Sequence, residues 1–255
     1  VEGDVGPWGV VASLVLVAVA AAASWRFRLG LVRPLLESAV LACVQLLVVG
    51  AALLLVIRPE QPLWWSWLWV VAMIGYAAWT VRQRVPTAPA VLSAALVSFG
   101  VTALVALAVL FGLQVFPVEG RTVVPLAGMA VGNSMTAAVV AARMLVERFT
   151  DQRGQVEASL ALGMSPPQAV LPLVRVVLRE ALSPQIERTR TVGLVFLPGA
   201  MVGLILAGVD PLDAVLVQVV VMYLVLGAVA ASATTITIVL SRRLFTADWR
   251  PRVLS

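Results

Sequence analysis

The residues able to do chemistry in this chain of 255 are few, and the missing types exclude as much as the present ones suggest. There is no lysine and no histidine. Without lysine there is no G-x-x-x-x-G-K-[ST] loop, because the Lys charge on the β/γ-phosphates is part of how that loop holds nucleotide. Without histidine there is no Ser/His or Cys/His dyad, no H-E-x-x-H zinc site and no imidazole proton relay. Ser134, in Gly132-Asn133-Ser134, therefore has no base to activate it, and Cys43 is alone, so no intrachain disulfide forms. The chain reads as no enzyme, with any ATP chemistry left to another protein.

What remains is a small set of polar or polarisable side chains inside apolar stretches. Gln45, Asn133, Ser134, Met135, Thr136 and Gln218 lie near the middle of such stretches, with Met201 and Met222 as soft groups. Glu37 sits near one end of a stretch, and Glu187 lies beside Arg188 and Arg190. In hydrocarbon such groups are costly and face protein or a water-filled path. The plain alternative is interhelical hydrogen bonding, worth about 0.6–2 kcal/mol per contact. For Gln45 and Ser134 that alternative is the better reading; for Asn133 and Glu187 the two are balanced. Methionine more often fills packing gaps than binds a ligand.

Seven apolar stretches must position these residues: about Trp8–Ser24, Leu35–Ile57, Leu63–Val81, Ala90–Phe111, Val123–Ala142, Val192–Gly208 and Leu212–Leu240. Each is near the ~20 residues that a helix rising 1.5 Å per residue needs to cross a bilayer. Composition agrees, at 61% hydrophobic and 12% charged against roughly half and a quarter in soluble domains. All 18 basic residues are arginine, and with the sides alternated only Arg58 and Arg121 fall opposite the rest. The positive-inside rule then puts the N-terminus outside and the C-terminus in the cytoplasm. Acids show the complementary bias, with Glu2, Asp4, Glu60, Glu119, Asp210 and Asp213 outside. The net charge of +5 thus reflects orientation, not nucleic-acid binding. Tryptophans at 8, 25, 64, 65, 67, 69 and 79 mark the boundaries as an aromatic belt. The first stretch lacks a basic leading region and a small-residue cleavage pattern, so it reads as a retained helix. External loops are short, and Gly208-Val209-Asp210-Pro211 starts a helix with Asp210 as N-cap and Pro211 at the first position.

The longest polar segment, residues 143–190, predicts helix, break, helix. The fifth span runs on past Arg143, with Val146, Phe149, Val156 and Leu160 as an apolar stripe at helical spacing. Gly163 ends that helix in a left-handed cap. Ser165-Pro166-Pro167-Gln168 opens the next, with Ser165 capping, Pro166 at the first position and Gln168 closing a capping box. A tightly specified corner of this kind suits a protein-docking knob better than a hairpin lying on the inner leaflet.

Glu157-Ala158-Ser159-Leu160-Ala161-Leu162-Gly163 resembles the E-A-A-x-x-x-G loop by which ABC-transporter membrane subunits dock into their nucleotide-binding subunit. Ser159 replaces the second Ala, and Leu171-Pro172 comes earlier than the Leu-Pro of importers. Gly128–Ala138, Thr191–Gly199, Leu206–Pro211 and Arg242–Phe245 together resemble the FetB-type permeases, linked to iron export in bacteria and, in plant relatives, to aluminium tolerance. The likeness is strong from about Gly128 to Asp248 and general before it. It implies an acid at Glu187 and a base at Arg190, with Asn133, Met135, Met201 and Gln218 along a substrate pathway. It also implies coupling to the ATPase through Glu157, Ala158, Leu160, Gly163, Ser165 and Pro166. The chain departs from the pattern at Phe196, where relatives carry a small polar residue, and near Ala200 and Val202, where they carry Met and Ser.

The resulting expectation is an all-α polytopic protein of about seven transmembrane helices in one permease domain, 1–255, with a cytoplasmic coupling segment, 143–190. It would be a homodimeric subunit in the bacterial inner membrane, served by a nucleotide-binding subunit that carries ATP and Mg, and would export a metal cation, iron by resemblance. Gly128-x-x-x-Gly132 and Gly199-x-x-x-Gly203 would let the fifth and sixth helices pack closely. No residue is assigned as a metal ligand, and hard cations prefer oxygen and imidazole ligands, of which the spans hold few. A nucleotide sugar or lipid as substrate is the alternative. A secondary transporter would need an intramembrane ion carrier, and a scaffold would need neither Asn133 and Gln218 in lipid nor a knob.

Overall fold

The computed structural model describes residues 7–56, 62–246 and 248–251. Glu2, Asp4, Arg58, Glu60, Arg252 and the side chain of Trp8 lie outside the described residues. Among those described, the structure is all helical: α1 Pro7–Arg26, α2 Val32–Val56, α3 Trp64–Arg84, α4 Val91–Gly112, α5 Gly120–Asp151, α6 Arg153–Ala161, α7 Pro166–Thr191, α8 Gly199–Leu206 and α9 Pro211–Arg243. They fall into two compact units, Val1–Gln61 and Pro62–Ser255.

The first unit is the α1–α2 hairpin. Its turn is closed by Leu29 N–H donating to Ser24 O at 2.9 Å and Leu31 N–H donating to the Ser24 hydroxyl at 3.1 Å. Arg28 and Gly30 take positive φ there, 53° and 70°.

In the second unit α5 and α9 form the centre, with α3, α4 and α7 packed around them. Small residues let the helices approach closely, between larger buried side chains such as Phe99, Leu145 and Ile236. Ala94, Ala95, Ala127, Ala138, Ala141 and Ala233 are fully buried. That suits lipid, where apolar surface is not expelled and helices associate through close packing and interhelical hydrogen bonds. One such bond crosses the middle of the unit: Ser98 Oγ donates to Ser232 O at 2.9 Å, its hydroxyl 2.9 Å from that of Ser232. Farther along, Phe149 meets Phe245 edge-on at 5.7 Å.

Four helices are long and apolar enough to cross a membrane among the described residues: α2, α4, α5 and α9. α3 has the length, 21 residues, but its tryptophans and arginines lower its hydropathy. Trp64 and Trp65 stack at 4.5 Å and are exposed, as lipid-facing belt residues are. Two expectations need correction. The stretch Val192–Gly208 is not one helix: α7 runs through Glu187 to Thr191, the chain turns at Val192–Pro198, and only the eight residues of α8 follow. Gly193 at φ +86° and Pro198 before Gly199 impose the break. The extension of the fifth span is interrupted as well, at Gln152 (φ −105°, ψ 20°), so α5 and α6 are separate helices. Among the described residues of one chain, of the four glycines in the two G-x-x-x-G pairs only Gly128 would bring an added Cβ against a neighbour, the Met73 methyl of α3.

Candidate functional site

Two places carry the candidate residues: the corner between α6 and α7, and a set of polar groups on α5, α7, α8 and α9.

The corner is fixed by local chemistry. At the end of α6, Gly163 N–H donates to Leu160 O at 2.9 Å and Met164 N–H to Ser159 O at 3.1 Å, the two bonds of a Schellman cap. Gly163 has φ +88°. Two residues on, Ser165 N–H donates to Gln168 Oε1 at 2.9 Å, one arm of the capping box, and Pro166 takes the first helical position. The stripe holds the corner to the body: Val146, Phe149 and Val156 are buried and Leu160 packs against the core. The apex points away from it. Leu162 is 83% and Met164 46% exposed, and Glu157 and Ala158 are exposed, with Glu157 held by Arg153 at 2.7 Å. Pro166 is buried and Ser165 half-buried, so they set the angle more than they offer surface.

The second set does not converge in one chain. Asn133 lies on the exposed face of α5, its Nδ2 donating to Met129 O at 2.8 Å. Met135 is two residues on, about 200° round the helix, and packs against the core. Glu187 and Arg190 are exposed on the last turns of α7 and pair at 3.0 Å. Met201 is half-buried on α8. Gln218 is only 6% exposed, and its Oε1 has no hydrogen-bond partner among the described residues. Apart from the Glu187–Arg190 pair, no hydrogen bond or ion pair joins two of these residues among those described. No group of three or more His, Cys, Asp or Glu residues could hold a metal among the described residues.

The face of α5 that holds Asn133 continues as Arg121, Pro125, Gly132, Thr136, Arg143 and Glu147, all exposed. Ser134, on the opposite side, is buried, and its hydroxyl donates at 2.6 Å to Ala130 O of α5 itself, not to another helix. Sequence reasoning missed Ser98 and Ser232 as the interhelical bond and Leu162 and Met164 as the apex. The first had a signal, hydroxyls centred in apolar spans; the second had only the neighbouring Gly163.

Sequence comparison now assigns the lineage. The chain matches the Uncharacterised protein family (UPF0014) over residues 7–245. It belongs to the UPF0014 family. This UPF0014 chain is 41% identical over 231 residues to the UPF0014 membrane protein STAR2 of Oryza sativa subsp. japonica, spanning 90% of this chain and 80% of the relative. It is 37% identical over 228 residues to Protein ALUMINUM SENSITIVE 3 of Arabidopsis thaliana, spanning 89% and 82%. It is 34% identical over 236 residues to the Probable iron export permease protein FetB of Escherichia coli (strain K12), spanning 91% and 89%. No solved structure matches it. With its long apolar helices, this UPF0014 member is a multi-pass membrane protein.

Proposed function

We propose that this chain is the permease subunit of an ABC transporter that exports a metal cation with ATP and Mg bound by a separate nucleotide-binding subunit. The observation that carries the reading is the α6–α7 corner. An apolar apex, Leu162 and Met164, stands exposed on two helix caps that leave it little freedom. A pre-organised knob docks with less ordering cost than a mobile loop, so Glu157, Ala158, Leu160, Gly163, Ser165 and Pro166 form the coupling element. The likeness to a probable iron export permease supports a metal as cargo. The whole chain acts as one permease, with residues 143–190 as its coupling segment.

The break between α7 and α8 supports a pathway there. Asp210 and Asp213 mark a membrane boundary at the start of α9, and α8 rises about 12 Å from it, less than half of a ~30 Å hydrocarbon core. The turn 192–198 then lies inside the membrane, where non-helical backbone is tolerated only against protein or water. α7, broken turn and α8 together make the sixth of seven crossings, N-terminus outside and C-terminus in the cytoplasm. Asn133 and Glu187, exposed on each protomer, line the route between two copies, backed by Met135, Met201 and the buried Gln218. Glu187 draws a cation in, and Arg190 occupies it when the site is empty. Asn133 and Met135 supply a weak, multi-ligand site that lets the ion leave.

The direct test is co-purification of the tagged full chain from its native membrane. Recovery of an ATP-binding subunit whose hydrolysis rises with metal is expected, and recovery of no ATPase would defeat the reading. A reporter fused after Ser255 that is active only on the cytoplasmic side checks the orientation.

A further inference from the structure

Away from the pathway, a cavity of about 630 Å³ opens between the first turns of α7 and the last turn of α9. Its lining is graded. Leu171, Val174 and Ile238 make an apolar side; Arg242, Ser241 and Thr246 make a polar end. No carboxylate lines it, and the Arg242 side chain has no hydrogen bond or ion pair among the described residues. Asp248 follows in the next turn but stays outside the lining.

Trp249 closes the rim. It is 61% exposed and has φ +62°, a left-handed conformation that costs a bulky residue about 1–2 kcal/mol. Its backbone is held there by the turn: Trp249 N–H donates to Thr246 O at 3.1 Å, and Thr246 N–H to Arg250 O at 2.9 Å. Arg250 N–H donates to the Thr246 hydroxyl at 3.1 Å. A strained backbone that holds an indole at the mouth of a cavity is a feature with a use.

The cavity's level fixes what reaches it. α9 is apolar for most of its 33 residues and ends in Arg242 and Arg243, so this end lies where hydrocarbon gives way to headgroups. Ile238, one turn before, is still exposed to the apolar side. A tryptophan at this depth is at home among headgroups, and basic pockets between membrane helices suit anionic ones.

We propose that this cavity is a binding site for an anionic phospholipid, its phosphate on Arg242, its first acyl carbons along Leu171, Val174 and Ile238, and its headgroup under Trp249. The volume falls within the range of ligand sites, about 300–1,000 Å³, enough for a headgroup and the start of a chain. A free phosphate would leave the apolar side unused, and a zwitterionic lipid would gain less from an unpaired arginine. Ser165 and Pro166 of the proposed docking corner are part of the lining, beside the end of α9, so a bound lipid would brace that corner. The inference needs only that α9 ends at a membrane surface, and it stands apart from the ATP-coupled reading.

The test uses the purified full chain without any partner. Phosphatidylglycerol or phosphatidylcholine is titrated in and retention is read by native mass spectrometry. Selective retention of phosphatidylglycerol is expected. Arg242→Gln should weaken it about fivefold, as one lost basic contact implies, whereas Arg243→Gln, outside the lining, should change it less than twofold. Equal losses in the two variants would mean a diffuse basic surface and overturn the site. So would equal retention of the two lipids, or displacement by millimolar inorganic phosphate.

Discussion

Glu187 and Arg190 illustrate how little a contact distance says without its surroundings. Their ion pair at 3.0 Å is exposed on both sides, and in water such a pair is worth about 0–1 kcal/mol. Its interest lies in placement, since on the proposed crossing these charges stand on a helix about to break inside the membrane and need water or a second protein surface. Removing the carboxylate while keeping its shape should therefore affect transport more than stability. In the assembled transporter, Glu187→Gln is expected to lower metal-stimulated ATPase activity by more than Asn133→Ala does. If both variants keep wild-type stimulation, the residues are packing and the cation takes another route. Ser98 makes the opposite case. Its bond to Ser232 is buried and joins α4 to α9, so Ser98→Ala should cost about 0.6–2 kcal/mol. That would appear as a lower unfolding midpoint in detergent, with transport intact at permissive temperature. Residue types alone could not separate these roles. Asn133 and Met135 are neighbours in the sequence, yet one faces out and the other packs inward, an outcome decided by which face of α5 the other helices cover.

At the scale of elements, the legible features were those whose cause is local. Ser165, Pro166 and Gln168 specify a helix start within four residues, Asp210 caps α9 by accepting from Leu212 N–H at 2.9 Å, and Gly163 ends α6 at φ +88°. The breaks at Gln152 and at Val192–Pro198 were harder, because a hydropathy window averages across them. Gly193 and Pro198 were visible signals that an apolar run from Val192 to Gly208 concealed. Packing partners were less legible still: nothing in the pattern around Gly128 says that it meets Met73. The Gly163 cap gives a clean test because a Cβ there would meet nothing within 4 Å. Any effect of substitution is then conformational, about 1–2 kcal/mol for a β-branched residue forced to positive φ. Gly163→Val should misdirect Leu162 and Met164 and uncouple ATPase activity from transport, with normal membrane insertion. Gly163→Asn, which tolerates the left-handed region, should retain most coupling. Equal behaviour of the two variants would show that the cap angle is not what couples.

For the whole molecule, the Val192–Pro198 turn raises the question of what covers it. Leu194 is 93% and Val195 77% exposed, and inside a membrane an irregular backbone left to lipid would carry unsatisfied polar groups. The proposed homodimer answers this with one operation. A two-fold axis beside the turn brings each copy's break against the other's and encloses Glu187 and Arg190 in a shared vestibule. Gly199 and Gly203, where an added Cβ would meet nothing within 4 Å among the described residues, then admit the partner's backbone. The chain's one natural cysteine makes this testable. With Cys43→Ser as background, Leu194→Cys should form an intermolecular disulfide in native membranes under mild oxidation, since residues near a two-fold axis meet their own copies within the ~7 Å that a disulfide spans. Tyr223→Cys, comparably exposed on the side of α9 that faces the groove with α4, should stay monomeric on a non-reducing gel. Cross-linking at Tyr223 and none at Leu194 would place the axis on α9, so that another part of the same chain must cover the break. The pathway would then have to be sought within one protomer.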